Sequence, residues 1–416
     1  MGTILRGIIY RSVFLSIFFG PWLACRAYDL PNFNAKLAEL AAGQTTRANV
    51  VVIGDSISLD LVYPTFAKFN NMYGYAGAVG GPGQIAINTL YFGGAAQNVV
   101  NYDSNGDFSQ WMTGMWVNVP QGGSVIWQRG DQLPSTQSPT PDVSEEKLYY
   151  MMGPDGGTFK VESMTYGQYP NGVNYQTGSW TDVPGFTNIS TYSPTPQIGV
   201  LTVPLHGNVG AMIVGTSGTV RALPSGWLGD SGISWNFQLS VGGSQLKQYA
   251  SAPASVWNTW LDEVKPDLVI IMAKDTAEPE LTDALKTIQG YINADAPNAD
   301  TLYVGAYAQQ SGPSTDMNDI FQAEANDTSD GASKVYWNAD PVIGDWTDAS
   351  AKGWFADSTH LSGTGREILG QAWTNDFGYF QSVPDPPPMS LSLMGLGLAY
   401  GCRWLCRQGK AAGKTS

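Results

Sequence analysis

The chain has 416 residues, more than one average domain, and its 43% apolar content is ample for a folded core. A formal net charge of −14, with no basic stripe in the body, excludes a nucleic-acid partner. Only 13% of residues are charged while Gly (49) and Pro (25) are frequent, a mix that suits an exported, loop-rich protein with β structure.

Residues 1–27, MGTILRGIIYRSVFLSIFFGPWLACRA, carry Arg6 and Arg11 ahead of an apolar run from Val13 to Ala24, and a small-residue site follows at Ala27. The run is short for a bilayer span, so the pattern predicts a Sec-type signal peptide. A lipoprotein signal through Cys25 is the weaker reading, because Trp22 stands where such a signal wants Leu. In PNFNAKLAELAAG (31–43), Phe33, Leu37 and Leu40 fall at helical spacing, ended by Gly43. Val50–Ile53 is a continuous β-branched run, as in a strand covered on both faces. After Ser56, the residues Leu59, Tyr63, Phe66 and Phe69 share one helical face, with Pro64 as a kink.

From about 95 to 232 the texture changes to short apolar runs, such as KLYYMM, TFKVESM, IGVLTVPL, VGAMIVG and TVRAL, broken by Gly, Pro, Asn and Ser. This predicts an antiparallel β-sandwich or jelly-roll-like domain at 96–232, inserted into an α/β domain made of 28–95 and 233–382. Its tryptophans, Trp111, Trp116, Trp127, Trp180 and Trp227, either fill a core or offer flat faces to sugar rings.

Strand–helix alternation then returns. DLVIIMA (267–273), TLYVGAY (301–307) and KVYWN (334–338) read as strands. Helices follow through Leu281, Leu285, Ile288 and Ile292, over Met317–Ala325, and around Ile368, Leu369 and Trp373. Such alternation implies a parallel sheet wrapped by helices. Residues 383–416 combine a Pro-rich hinge, an apolar stretch Met389–Tyr400 and the bases Arg403, Arg407, Lys410 and Lys414. That order resembles the PEP-CTERM sorting tail of Gram-negative bacteria, with Pro384-Asp385-Pro386 in place of Pro-Glu-Pro. The resemblance implies a processing protease as a partner; an ordinary membrane anchor is the other reading. Either way the body is expected to be exported: periplasmic, on the outer surface or secreted.

The chemistry narrows quickly. Cys25, Cys402 and Cys406 all lie near the ends, so the body has no cysteine nucleophile, disulfide or Cys-ligated zinc. The glycine-rich run Gly80-Gly81-Pro82-Gly83 has no phosphate-loop context. Ser56, in GDSIS, closes the first strand at the sheet edge where open α/β folds place their ligands. A serine hydroxyl is a poor nucleophile and needs a base, normally histidine. There are two histidines. His206, in VPLHGNVG, reads as a loop or edge-strand side chain of the insert. His360, in WFADSTHLSGTG, precedes a helix and has Asp357 three residues earlier. That spacing suits a carboxylate that orients the imidazole, and equally a helix-entry turn capped by Asp.

GDSIS near the start and DSTH near the end, in this order and in this strand–helix setting, resemble the SGNH/GDSL hydrolases over 49–75 and 235–378. The resemblance implies a flavodoxin-like three-layer α/β fold and a serine esterase that needs no metal or organic cofactor. It makes Ser56 the nucleophile, His360 the base and Asp357 its orienting acid. It also implies an oxyanion hole built from the Ser56 N–H and a glycine N–H. Gly243, in QLSVGGSQL (238–246), is the preferred glycine, Gly242 is next, and GAVGGPGQ (77–84) is the rival. The family's third donor is an Asn whose place falls on Asp275, in MAKDTAE. An ionised carboxylate would repel the oxyanion. Three readings stay open: Asp275 is protonated by burial, Lys274 donates instead, or the hole is crippled. The function implied is removal of O-acyl groups, foremost O-acetyl, from a carbohydrate or other extracellular polymer. The alternatives are a weak or inactive polysaccharide-binding module and an O-acyltransferase with the same triad.

Overall fold

The β-branched run around Val50 forms strand β1 (Arg47–Gly54) in a computed structural model that describes residues 29–377, apart from 81–89, 94–96, 101–114, 128–142, 169–173, 206–208, 275–279 and 313. The segments read as a signal peptide and a sorting tail lie outside the described residues, as do Trp111, His206, Asp275 and the glycines at 81 and 83. Residues Ala27–Trp373 form one compact unit; a second unit, Met1–Arg26 with Thr374–Ser416, contributes only 374–377 to the described residues.

Around β1 the chain first forms α1 (Pro31–Ala41), α2 (Ser58–Tyr73) and β2 (Tyr75–Val79). The β-rich region opens with β3 (Leu90–Gly93), β4 (Gln97–Val100), β5 (Met115–Pro120), β6 (Ser124–Trp127), β7 (Val143–Met152) and β8 (Thr158–Gln168). It continues with β9 (Asn174–Asp182), β10 (Ile189–Ser190), β11 (Gln197–Pro204), β12 (Val209–Ser217), β13 (Thr219–Ala222) and β14 (Gly226–Gly229). Next come β15 (Gly232–Ser240), α3 (Leu246–Ala250), α4 (Ala254–Val264), β16 (Leu268–Met272) and α5 (Glu280–Asp295). The last elements are β17 (Asp300–Gly305), α6 (Thr315–Asn326), β18 (Lys334–Asn338), α7 (Asp340–Ile343), α8 (Trp346–Ala351) and α9 (Gly363–Asp376). Every strand and helix expected from 31–69 and 267–373 is present, within a few residues of its expected ends.

Six strands, β18-β17-β16-β1-β15-β2, lie side by side and parallel. The chain visits β15 on one side of β1 and then β16 on the other, so the winding reverses at β1. In open α/β sheets, ligands bind outside the carboxyl ends of the strands at such a reversal. Helices cover both faces, as the alternation along β15 shows. Trp235 and Phe237 stack on one another and meet Phe66 of α2 at 5.4 and 6.5 Å between ring centroids. Gln238, on the opposite face, accepts from Trp260 Nε1 of α4 at 2.7 Å.

The β-rich region is joined to the parallel sheet. Strand β14 pairs antiparallel with β2, and β7, β13, β5 and β4 follow outward, with β11 on β7, so the parallel sheet runs on into a twelve-stranded mixed sheet. An unpaired β2 would leave an open row of N–H and C=O groups, and pairing with β14 removes that edge. The remaining strands form a second, six-stranded sheet, β10-β8-β12-β6-β3, with β9 on β8. Both sheets feed one apolar core that includes Val119, Leu148, Tyr150, Phe159, Val161, Ile213 and Val220. Trp227 belongs to that core, which settles its part of the question in favour of filling. Trp116 and Trp180 are half-buried.

One carboxylate joins the two sheets. Glu146 of β7 is fully buried and accepts from the Ala211 N–H of β12 at 2.8 Å. Burial pushes its carboxyl well above the usual range, only partly opposed by that N–H. A group kept protonated in the fold but free to ionise when unfolded adds full stability below its ordinary value of 4.5, and this is lost as pH rises. Glu146→Gln, which cannot ionise, is expected to melt a few degrees above wild type at pH 8, with the gap closing toward pH 4.5. Melting curves followed by circular dichroism at both pH values check this; a gap independent of pH contradicts it.

Candidate active site

Strand β1 ends where its neighbours press closest. A Cβ added at Gly54 would lie 1.8 Å from the Met272 carbonyl oxygen at the end of β16, so only glycine lets the two strands finish side by side. On the β15 side, the Val241 N–H, the Ser244 hydroxyl and the Tyr249 hydroxyl surround the Gly54 carbonyl oxygen at 3.2, 3.1 and 2.9 Å. Asp55 fixes the turn that follows. Its buried carboxylate accepts from the Ile57 N–H at 2.9 Å and from the Lys274 N–H, just past β16, at 3.0 Å. Ser56 is therefore carried between a locked strand end and the start of α2, at the strand end where the winding reverses.

His360 reaches the same place from the other end of the chain. Its loop is closed by the Ala356 N–H, which donates to the His360 carbonyl at 2.9 Å, and by a bridge between Phe355 and Leu361. Its Nε2 lies 2.7 Å from Ser56 Oγ, across 304 positions of sequence. Asp357 Oδ2 lies 2.8 Å from His360 Nδ1, while Oδ1 accepts from the N–H groups of Thr359 and His360, both at 2.7 Å. One oxygen of Asp357 thus closes the turn before the histidine and the other meets the imidazole, while at the start of α9 it is Ser362 Oγ that accepts, from the Gly365 N–H at 3.3 Å. The His360 N–H foremost, then the imidazole and the Thr359 N–H, hold the Asp357 carboxyl at about 2. An ionised carboxylate at Nδ1 keeps the proton there and leaves Nε2 as the acceptor that faces the serine.

The two candidate glycines, Gly242 and Gly243, sit in the turn that follows β15. Residues 241–244 form a turn closed by the Ser244 N–H to the Val241 carbonyl at 3.1 Å, with Gly243 at φ +76° in the left-handed position of a type II turn. Gly242 lies against the serine; a Cβ added there would come 3.8 Å from Ser56 Cβ. Neither glycine's N–H closes the turn. Of the rival run, Gly80 commits its N–H to the Ser225 carbonyl at 3.1 Å, at the β2–β14 edge.

Lys274 is held rather than loose. Its Nζ donates to Gln309 Oε1 at 2.6 Å and to the Ser311 hydroxyl, which uses two of its three N–H donors. The Gln310 N–H in turn donates to the Ser358 carbonyl at 3.1 Å, beside Asp357. Hydrogen bonds therefore run from Asp55 through Lys274 and the 309–311 turn to the histidine loop. Burial pushes the Lys274 ammonium below its ordinary range, and the Asp55 carboxylate partly offsets this. Asp55, Gln309 and Ser311 were not singled out from sequence. Asp55 carried a signal, an acid wedged between a buried strand and the serine; the other two carried none.

No family model and no curated protein matches the sequence. Among solved structures the chain is similar to a peptidoglycan O-acetylesterase, with a TM-score of 0.54 at 16% identity, over 83% of this chain and 95% of that one. This chain shares that fold. It also aligns with a GDSL-like lipase from Parabacteroides merdae, at 16% identity and a TM-score of 0.27 over 35% of this chain and 73% of that one. A family two carbohydrate esterase from Clostridium thermocellum, in complex with cellohexaose, aligns at 11% identity and a TM-score of 0.28, over 69% and 100%.

Proposed function

We propose that the protein is an exported serine esterase that removes O-acyl groups, foremost O-acetyl, from a carbohydrate polymer outside the cytoplasm. One observation carries the reading: Ser56 Oγ stands 2.7 Å from His360 Nε2, whose other nitrogen meets Asp357 at 2.8 Å. Ser56 attacks the ester carbonyl while His360 takes the hydroxyl proton on Nε2, and Asp357 stabilises the imidazolium. Collapse of the tetrahedral intermediate expels the sugar alkoxide, which receives that proton, and leaves an acyl-serine. Water then attacks the acyl carbon, gives a proton to the same imidazole, and releases the carboxylic acid as Ser56 recovers its proton.

The oxyanion is bound by the Ser56 and Gly243 N–H groups, with Gly242 adjacent and the Lys274 ammonium as a charged third donor in place of an Asn. The fold shared with a peptidoglycan O-acetylesterase supports acetyl as the acyl group and a glycan as its carrier. The N-terminal segment supports export, and the C-terminal one supports sorting with a processing protease.

Acetate release from O-acetylated peptidoglycan and O-acetylated xylan, together with cleavage of p-nitrophenyl esters of rising length, tests the substrate class. At least one polymer is expected to release acetate, and the acetyl ester to exceed the butyryl ester by about tenfold or more in kcat/KM. Equal cleavage of long esters with no acetate from either polymer contradicts that class. Binding of polymer without cleavage of any ester favours the binding module instead.

A further inference from the structure

Close to the triad lies a buried charge for which the reaction above has no use. Asp60, on the first turn of α2, is fully buried, although Leu59 and Leu61 beside it show what an ordinary core would take. Its Oδ1 accepts from Arg366 Nε at 2.6 Å. Its Oδ2 accepts from the Leu361 N–H at 3.0 Å and from the Tyr307 hydroxyl. Leu361 directly follows His360. The Tyr307 hydroxyl also lies 3.2 Å from the carbonyl oxygen of Thr359, the residue before it. The cluster therefore grips the backbone on both sides of the histidine, from the helix that starts two residues after Ser56.

Each partner is itself braced. The Arg366 guanidinium lies 5.2 Å over the Tyr63 ring of α2, and the Tyr307 ring meets Phe355 of the histidine loop edge-on at 5.7 Å. Burying a carboxylate is costly even when it is paired, and an apolar replacement is often as stable. What an apolar residue cannot supply is a directional hold on the Leu361 amide. Such a hold matters, because a displacement of about 1 Å between reacting groups costs about a hundredfold in rate.

We infer that Asp60, Tyr307 and Arg366 are positioning residues, a buried carboxylate clamp that ties the Ser56 helix to the His360 loop and sets the serine–imidazole distance. The inference rests on the esterase reading of Ser56 and His360.

The test compares Asp60→Asn, Tyr307→Phe, Arg366→Gln and Arg366→Lys in the full chain, each checked for folding by thermal melt and assayed on p-nitrophenyl acetate below its melting transition. Asp60→Asn and Tyr307→Phe are expected to lower kcat by about 10- to 100-fold. KM stays within about twofold of wild type, since the clamp touches no substrate. Arg366→Lys is expected to recover part of the kcat that Arg366→Gln loses. Should Asp60→Asn fail to fold, Tyr307→Phe carries the test, because it removes one hydroxyl and leaves the charge pair in place. A folded Tyr307→Phe with wild-type kcat, or one whose loss lies wholly in KM, overturns the clamp. An active wild type beside unaffected variants overturns the clamp alone; an inactive wild type overturns the esterase reading and the clamp with it.

Discussion

Ser56→Ala is expected to lower kcat for ester hydrolysis by about 10⁴–10⁶-fold while leaving the melting temperature within about 2 °C of wild type. The two halves of that result have different causes. The hydroxyl's hydrogen bond is to the half-exposed His360 ring, so its loss opens no cavity in the core. The strand end that carries it is held by other groups: Gly54 against β16, and Asp55 through Ile57 and Lys274. The chemistry, by contrast, has no substitute nucleophile. What remains in the alanine variant is the oxyanion site and substrate binding, which alone supply a residual enhancement of about 10³–10⁴ over water. Side-by-side rates and melts of the two purified proteins check both halves.

His360→Ala is expected to cost as much, about 10⁴–10⁶-fold, and the Ser56→Ala/His360→Ala double variant to be no slower than either single one. The pair acts as one unit, since a hydroxyl without a base and a base without a hydroxyl are equally idle. Additive losses would mean that the two residues act separately, against the 2.7 Å contact. Acidification offers a related check. Asp357, held at about 2, stays ionised through any working range. Activity lost on acidification above that point therefore does not come from Asp357.

Much of this was legible in the sequence, for reasons tied to particular residues. The strand at 50–53 and the helix through Leu281–Ile292 are periodic enough to read alone, because burial on both faces or on one stripe leaves a direct pattern. The meeting of Ser56, His360 and Asp357 was legible because the proposed chemistry admits few residue types: two histidines, with one of them beside an acid at the right spacing.

The sheet's full extent was not legible. Alternation within KLYYMM or TVRAL marks a strand but not its partner, and nothing local says that β14 will pair with β2. The clamp was hidden for a similar reason. The stripe Leu59, Tyr63, Phe66 and Phe69 marks one face of α2, yet Leu61, Val62 and Thr65 are buried too, so Asp60 sits on a helix covered nearly all round. Its partners lie 247 and 306 residues away, beyond the reach of any spacing rule.

The most direct measurement is the reaction of the folded protein with a fluorophosphonate, followed by peptide mapping. If His360 draws the proton from Ser56, the serine oxygen attacks phosphorus, fluoride leaves, and one adduct forms, on Ser56 alone. The His360→Ala protein should stay unlabelled under the same conditions. An adduct on a different serine, or none in folded wild-type protein, contradicts an activated hydroxyl at the end of β1.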